Sequence, residues 1–291
     1  MTYEQLEARI TAWMRARPDI WAAVVVGSRA RVEHPADEWS DLDLVLFVAD
    51  PSPYTSGPDW LAEIGDTWMT YLDDTGHGDP EWFALFEGDL KLDVALVAAP
   101  LQVSQAGLRE ILESSPYSDV FERGMRVVLD RSGAEAGPSF SITAPKVPAH
   151  PMEAEFSALV SRVLLGALRA AGMLKRGELW WAKQQCDCEL KHCLLAMLEW
   201  HARATLGADR DTWHDGRFLE EWAAPRAVEA LPATFGRYDA EDVWRALHAT
   251  LDLFRRLALE LAAALRYAYP TQVDARIVAR MQEVRGRQVG T

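Results

Sequence analysis

Basic charge is in short supply. The 30 Lys and Arg face 44 Asp and Glu, leaving a formal net charge of -14. Duplex DNA and anionic membranes are both polyanions, so no nucleic-acid or membrane partner is expected. Acidity fits a soluble protein that attracts cationic small molecules, although solubility alone accounts for most such charge. Cysteine is also scarce. Its three copies, Cys186, Cys188 and Cys193, crowd into eight residues. An odd, clustered set is no disulfide framework, and a reducing cytoplasm is the expected location. No uninterrupted apolar run approaches the roughly 20 residues of a membrane span. MTYEQLEARI opens as a polar helix, with no basic segment leading into an apolar core. Internal repeats and low-complexity tracts are absent. A monomer is expected.

What is present divides in two. Residues 3–17 carry apolar positions at helical spacing, and AAVVVG reads as a short buried strand. RARVE has the character of a helix start, broken near Pro35. SDLDLVLFVAD is a second strand. The spacing over 59–72 predicts a helix. EWFALFEGDLKLDVALV reads as a hairpin turning at EGD, and RVVLD near 126 as a further strand. RSGAEAGPSFSITAPKVPAHP is rich in Gly, Pro, Ser and Ala and marks a domain boundary. After it come three helical faces: Phe156 to Leu168, Leu179 to Met197, and Val243 to Leu261. The expected class is α+β, with an N-terminal mixed β-sheet domain with helices over 1–145 and an all-α helical bundle over 150–291.

The chemistry concentrates in VVVGSRARVEHPADEWSDLDLVLFV. Strand residues two apart share a face, so Asp41 and Asp43 lie together, opposite Leu42, Leu44 and Leu46. Asp93 repeats the pattern in LKLDVALV. If the two strands are neighbours, three carboxylates converge. Like charges so close raise one another's pKa, and a divalent cation is their natural partner. Gly27 lets a phosphate approach the backbone, N–H groups at a helix start bind anions, Ser28 adds a hydroxyl, and Arg29 a charged fork. This is the equipment of metal-assisted nucleotidyl transfer. One or two Mg²⁺ would bridge a triphosphate to Asp41 and Asp43. Asp93 would take the proton of an attacking hydroxyl or help hold a second metal.

GS, then D-x-D in a strand, then a third Asp in a later strand resembles the DNA polymerase beta-like nucleotidyltransferase superfamily. VVVGSRARVEHPADEWSDLDLVLFV, LKLDVALV, RVVLDRSG, RGELWWAKQQCD, GRFLEEW and LFRRLALELAAALRYAYP, in that order, look like the aminoglycoside 6-adenylyltransferases (streptomycin adenylyltransferases). The resemblance implies transfer of AMP from Mg-ATP to a streptomycin hydroxyl, with release of pyrophosphate and hence antibiotic resistance. It implies phosphate contacts from Gly27, Ser28 and Arg29, and a further one from Lys183 of the WAK segment. It places ATP and acceptor in a cleft between the domains. Glu155, Glu178, Asp187 and Glu199 are candidate contacts to the polycationic acceptor. One departure stands out. DTWHDGRFLEEW carries His214-Asp215 where a family lysine is expected, which bears on acceptor or nucleotide contacts and not on the metal chemistry.

The plainer readings differ by motif. D-x-D alone suits a solvent-facing edge strand, and GS upstream with Asp93 downstream tips the balance to metal. C-x-C-x₄-C on one helix has the wrong spacing for zinc, so Cys186 and Cys193 are core residues and Cys188 faces away. Glu87, Asp89 and His77 are turn residues. Trp180, Trp181, Trp200, Trp222 and Trp244 are expected to pack the bundle, with one or two of them free to line an acceptor pocket. Two rivals remain: the same chemistry on another acceptor (a lincosamide or a metabolite), and a non-catalytic nucleotide- or drug-binding relative.

Overall fold

Ile20–Val26 (β1) is seven β-branched, alanyl or aromatic residues, all buried. Such a run is built for the middle of a sheet. The computed structural model describes residues 1–99, 107–131 and 150–286, and β1 lies inside a six-stranded sheet. The chain divides into two compact units, Met1–Lys146 and Val147–Thr291. Of the expected boundary segment, 131–151, residues 132–149 lie outside the described residues.

In the first unit, α1 (Tyr3–Arg15) precedes β1. Its start is a capping box: Thr2 Oγ1 accepts from the Gln5 N–H, and Gln5 Oε1 accepts from the Thr2 N–H. β2 (Leu42–Val48) follows, then the short helices α2 (Ser52–Thr55) and α3 (Asp59–Ala62). β3 (Thr67–Asp74), β4 (Pro80–Phe86) and β5 (Leu90–Ala98) form a meander, and α4 (Gly107–Ser114), α5 (Ser118–Arg123) and β6 (Arg126–Asp130) complete the unit. The sheet order is β3-β4-β5-β2-β1-β6. β2 and β5 run parallel, and the other neighbours are antiparallel.

The sheet has two covered faces. Leu42, Leu44, Leu46, Leu92, Val94 and Leu96 meet α1 through Leu6, Ile10 and Met14. Val24, Val45, Phe47 and Ala95 meet α4 and α5 through Leu108, Leu112 and Phe121. Alternation along β2 and β5 assigns the Asp residues to the second of these faces.

The second unit is helical: α6 (Glu153–Lys175), α7 (Leu179–Gln184), α8 (Leu190–Leu206), α9 (Leu219–Trp222), α10 (Pro225–Ala230), α11 (Ala240–Leu265) and α12 (Thr271–Gly286). Its core draws on Phe156, Cys193, Met197, Trp222, Leu247 and Phe254. Among the described residues α6 alone is long and apolar enough to cross a membrane by length and composition, and 56% of that stretch is buried. The bundle core accounts for its apolarity.

Four expectations need correction. The helix expected over 59–72 ends at Ala62, and 67–74 is the edge strand β3. Pairing with β4 overrides the local spacing there, and Trp68, Met69 and Tyr71 stay exposed on the edge. RARVE forms no helix. Gly27–Arg29 is a single 3₁₀ turn, after which the Ala36 N–H donates back to the Ser28 carbonyl at 2.9 Å. The helix through Cys186 contains a π turn, Gln185–Glu189. Trp180 and Trp181 do not pack the bundle: they are 70% and 60% exposed, while Trp222 and Trp244 are buried. Cys186 and Cys193 are buried and Cys188 is exposed, as the stripe requires.

Candidate active site

Parallel pairing of β2 with β5 sets Asp43 directly beside Asp93. Asp41 lies one step before β2 on the same face. One oxygen from each of Asp41, Asp43 and Asp93 lies within 4.8 Å of the others. The Asp93 pKa is pushed up to about 7, first by burial, then by Asp41, Asp43 and Glu81, with Lys91 opposing. Three oxygens at that separation are a hard-cation donor set.

Gly27 closes the site from below. Its φ is +68°, and a Cβ there would sit 2.0 Å from Asp43 Oδ2. No side chain fits between this turn and the carboxylate, and the backbone can approach whatever Asp43 holds. Beside it, Ser28 Oγ is buried with no hydrogen-bond partner. A buried hydroxyl left unsatisfied is costly in a folded protein, and a ligand oxygen would satisfy it. Both features fit a divalent cation carrying phosphate. The helical turn expected after β1 is the single 3₁₀ turn Gly27–Arg29, not the start of a longer helix.

Arg29 is engaged in holding the chain. Its Nε donates to the Asp41 carbonyl at 2.8 Å and a terminal nitrogen to the Ser40 carbonyl at 2.9 Å. Its guanidinium lies 3.4 Å from the centre of the Tyr3 ring. Arg29 therefore fixes the backbone that presents Asp41. Lys91 Nζ supports the same loop through the Trp39 carbonyl at 2.7 Å.

Sequence reasoning passed over the neighbours of Asp93. Phe83 pairs with Asp93 across β4–β5, and Tyr71 pairs with Phe83 across β3–β4. The two rings stack at 4.6 Å with planes 8° apart. The row Tyr71–Phe83–Asp93–Asp43 thus crosses four strands on one face. The adjoining row sets Asp73 opposite Glu81. Burial raises the Glu81 pKa, followed by Asp73, Asp41 and Asp74. The signal was available: Trp82, Ala84 and Phe86 are the buried set of β4, which leaves Glu81 and Phe83 for the other face.

The remaining sequence candidates lie in the second unit. Lys183 Nζ donates to the Asp187 carboxylate and to the Gly236 carbonyl, so these two candidates are brought together. Glu178 is held by Arg176 through two bonds of 2.8 and 2.7 Å. Glu155 accepts from the Met152 N–H at 2.7 Å at the start of α6. Glu199 is half-buried, and burial raises its pKa. His214 and Asp215 pair with each other at 3.2 Å on an exposed turn.

A mixed sheet presenting convergent carboxylates beside a glycine-serine turn is the architecture of a nucleotidyltransferase. The family model described as streptomycin adenylyltransferase matches residues 1–284, and the chain belongs to that family. It is similar to the aminoglycoside 6-adenylyltransferase of Bacillus subtilis (strain 168), at 24% identity over 255 residues and 84% of each chain. It is also similar to that of Campylobacter jejuni, at 21% identity over 250 residues, covering 84% of this chain and 82% of the relative. Among solved structures, an aminoglycoside 6-adenyltransferase from Bacillus subtilis aligns over 99% of this chain and 100% of its own, at TM-score 0.46 and 18% identity. A nucleotidyltransferase-like protein from Exiguobacterium sibiricum aligns over 91% of this chain and 78% of its own, at TM-score 0.35 and 14% identity.

Proposed function

We propose that this enzyme transfers AMP from Mg-ATP to a hydroxyl of a streptomycin-like aminoglycoside and releases pyrophosphate. The observation that carries the reading is the convergence of Asp41, Asp43 and Asp93 within 4.8 Å in a chain of this family. Residues 1–145 are the catalytic domain in this reading, and 150–291 shape the acceptor site.

Asp41 and Asp43, joined by Asp93, are the residues that would hold Mg²⁺. When bound, the ion neutralises triphosphate charge and activates the α-phosphorus. Gly27 admits the triphosphate against the backbone, and Ser28 Oγ donates to a phosphate oxygen. Asp93 accepts the proton of the acceptor hydroxyl as its oxygen bonds to the α-phosphorus. The bond from that phosphorus to the bridging oxygen breaks, and pyrophosphate leaves with the electron pair. Positioning and charge neutralisation supply most of the rate.

The shelf beside the triad favours a cationic, ring-bearing acceptor. Asp73 and Glu81 directly opposite each other repel unless a cation lies between them. The stacked Tyr71 and Phe83 offer a flat face for a sugar ring or an ammonium or guanidinium group. The test is pyrophosphate release with Mg-ATP across a panel of aminoglycosides headed by streptomycin, with lincosamides included. Release with streptomycin that vanishes in Asp93→Asn supports the reading. Mg-ATP binding without release on any aminoglycoside would overturn the acceptor.

A further inference from the structure

The helical unit contains a groove of about 710 Å³ that is lined by none of the residues assigned above to nucleotide, metal or acceptor. Its volume is that of a small-molecule site. Arg162, Gly166 and Arg169 line one wall, spaced i, i+4 and i+7 on one face of α6. Gly166 has a specific reason to be glycine. A Cβ there would meet Gln185 Nε2 and a Leu190 methyl, each at 3.0 Å. Its absence lets the π turn at Gln185–Glu189 close against α6 and form the floor. Such π turns recur at functional sites.

The opposite wall carries Trp180 and Trp181, the two exposed indoles described above, with Gln184 and Glu189. Adjacent exposed tryptophans are uncommon on a surface that packs nothing. Both arginines are exposed, and neither forms an ion pair among the described residues. The groove therefore holds two guanidinium groups against one carboxylate, the wrong sign for a polycationic aminoglycoside. Lys183 and Asp187, two of the candidate contacts on the same helix, are turned elsewhere, toward Gly236.

We infer that this groove binds a planar aromatic anion, its ring against Trp180 and Trp181 and its carboxylate or phosphate on Arg162 and Arg169. Guanidinium forks suit planar oxyanions, and indole faces suit flat rings. The groove is lined only by residues of the helical unit and shares none with the carboxylate triad.

The test is isothermal titration of the full chain with naphthyl phosphate, and with naphthylmethylammonium as the matched cation. One equivalent of the phosphate is expected to bind with a Kd below about 100 µM, at least tenfold tighter than the ammonium. The double variants Arg162→Gln/Arg169→Gln and Trp180→Leu/Trp181→Leu should each weaken it tenfold or more. All four side chains are exposed, so the fold should survive, as circular dichroism would confirm. Asp43→Asn should leave binding unchanged, which separates this groove from the triad. No heat with the phosphate, equal affinity for the two probes, or double variants that bind like the parent would each overturn the proposal.

Discussion

Asp274 in the helical unit and Asp93 in the sheet unit are treated in opposite ways. In the helical unit Asp274 is 4% exposed, yet its pKa is lowered. Burial pushes it up, but two bonds from Arg255, at 2.5 and 2.9 Å, and one from the Tyr269 hydroxyl at 2.9 Å outweigh that. In the sheet unit Asp93 and Glu81 are pushed up, chiefly by burial and then by neighbouring carboxylates, Asp41 among them in both cases. A carboxylate tied to arginine and tyrosine braces a fold. Carboxylates gathered on one face of a sheet raise one another's pKa and make a place for a cation.

Exchanging the two kinds of carboxylate gives the largest contrast. Asp43→Asn and Asp93→Asn should each lower turnover by about 10³-fold or more, with the fold intact. Asp274→Ala should do the reverse. It leaves Arg255 unpaired and should lower stability by about 3 kcal/mol in denaturant unfolding. The folded fraction should keep its turnover.

Gly27→Ala comes next. The added methyl would overlap Asp43 at a backbone angle alanine resists. Mg-ATP binding should weaken by at least tenfold, measured by titration. If the shelf takes the acceptor as proposed, Tyr71→Ala with Phe83→Ala should then raise the acceptor KM about tenfold and spare kcat.

The smallest effect is on stability against pH. The folded Asp93 holds its proton up to about pH 7, well above the value of 3.8 for an unperturbed aspartate. Between those values the native state binds more protons than the unfolded chain, so metal-free stability falls as pH rises through this window. Asp93→Asn removes that fall. In EDTA it should gain about 1 kcal/mol over the parent at pH 8, allowing for solvent screening, and little or nothing at pH 4. Glu81→Gln should lower the Asp93 pKa and move the acid limb of the turnover profile to lower pH.

Much of the triad could be read from period-two alternation. It set Asp41, Asp43 and Asp93 apart from their leucine neighbours and made convergence conditional on adjacent strands. The parallel pairing of β2 with β5 met that condition, and only the fold could show it, because β3 and β4 intervene in sequence. β3 misled because an edge strand with both faces largely exposed has no alternation to betray it, and Trp60, Leu61 and Ile64 begin a helical spacing that Gly65 stops. Trp180 and Trp181 misled because tryptophan is usually buried. The π turn escaped notice because Cys186 and Cys193 keep their core positions through it. Arg29 was legible as a charge near the site, but its bonds to Ser40 and Asp41 depend on a loop whose path the sequence does not state.

The most direct measurement is calorimetric titration of the metal-free chain with Mg²⁺ at neutral pH, in buffers of different ionisation enthalpy. The account predicts binding with proton release, since Asp93 must ionise to join Asp41 and Asp43. Both binding and proton release should vanish in Asp43→Asn. Binding that persists in that variant, or no binding to the parent, would contradict it.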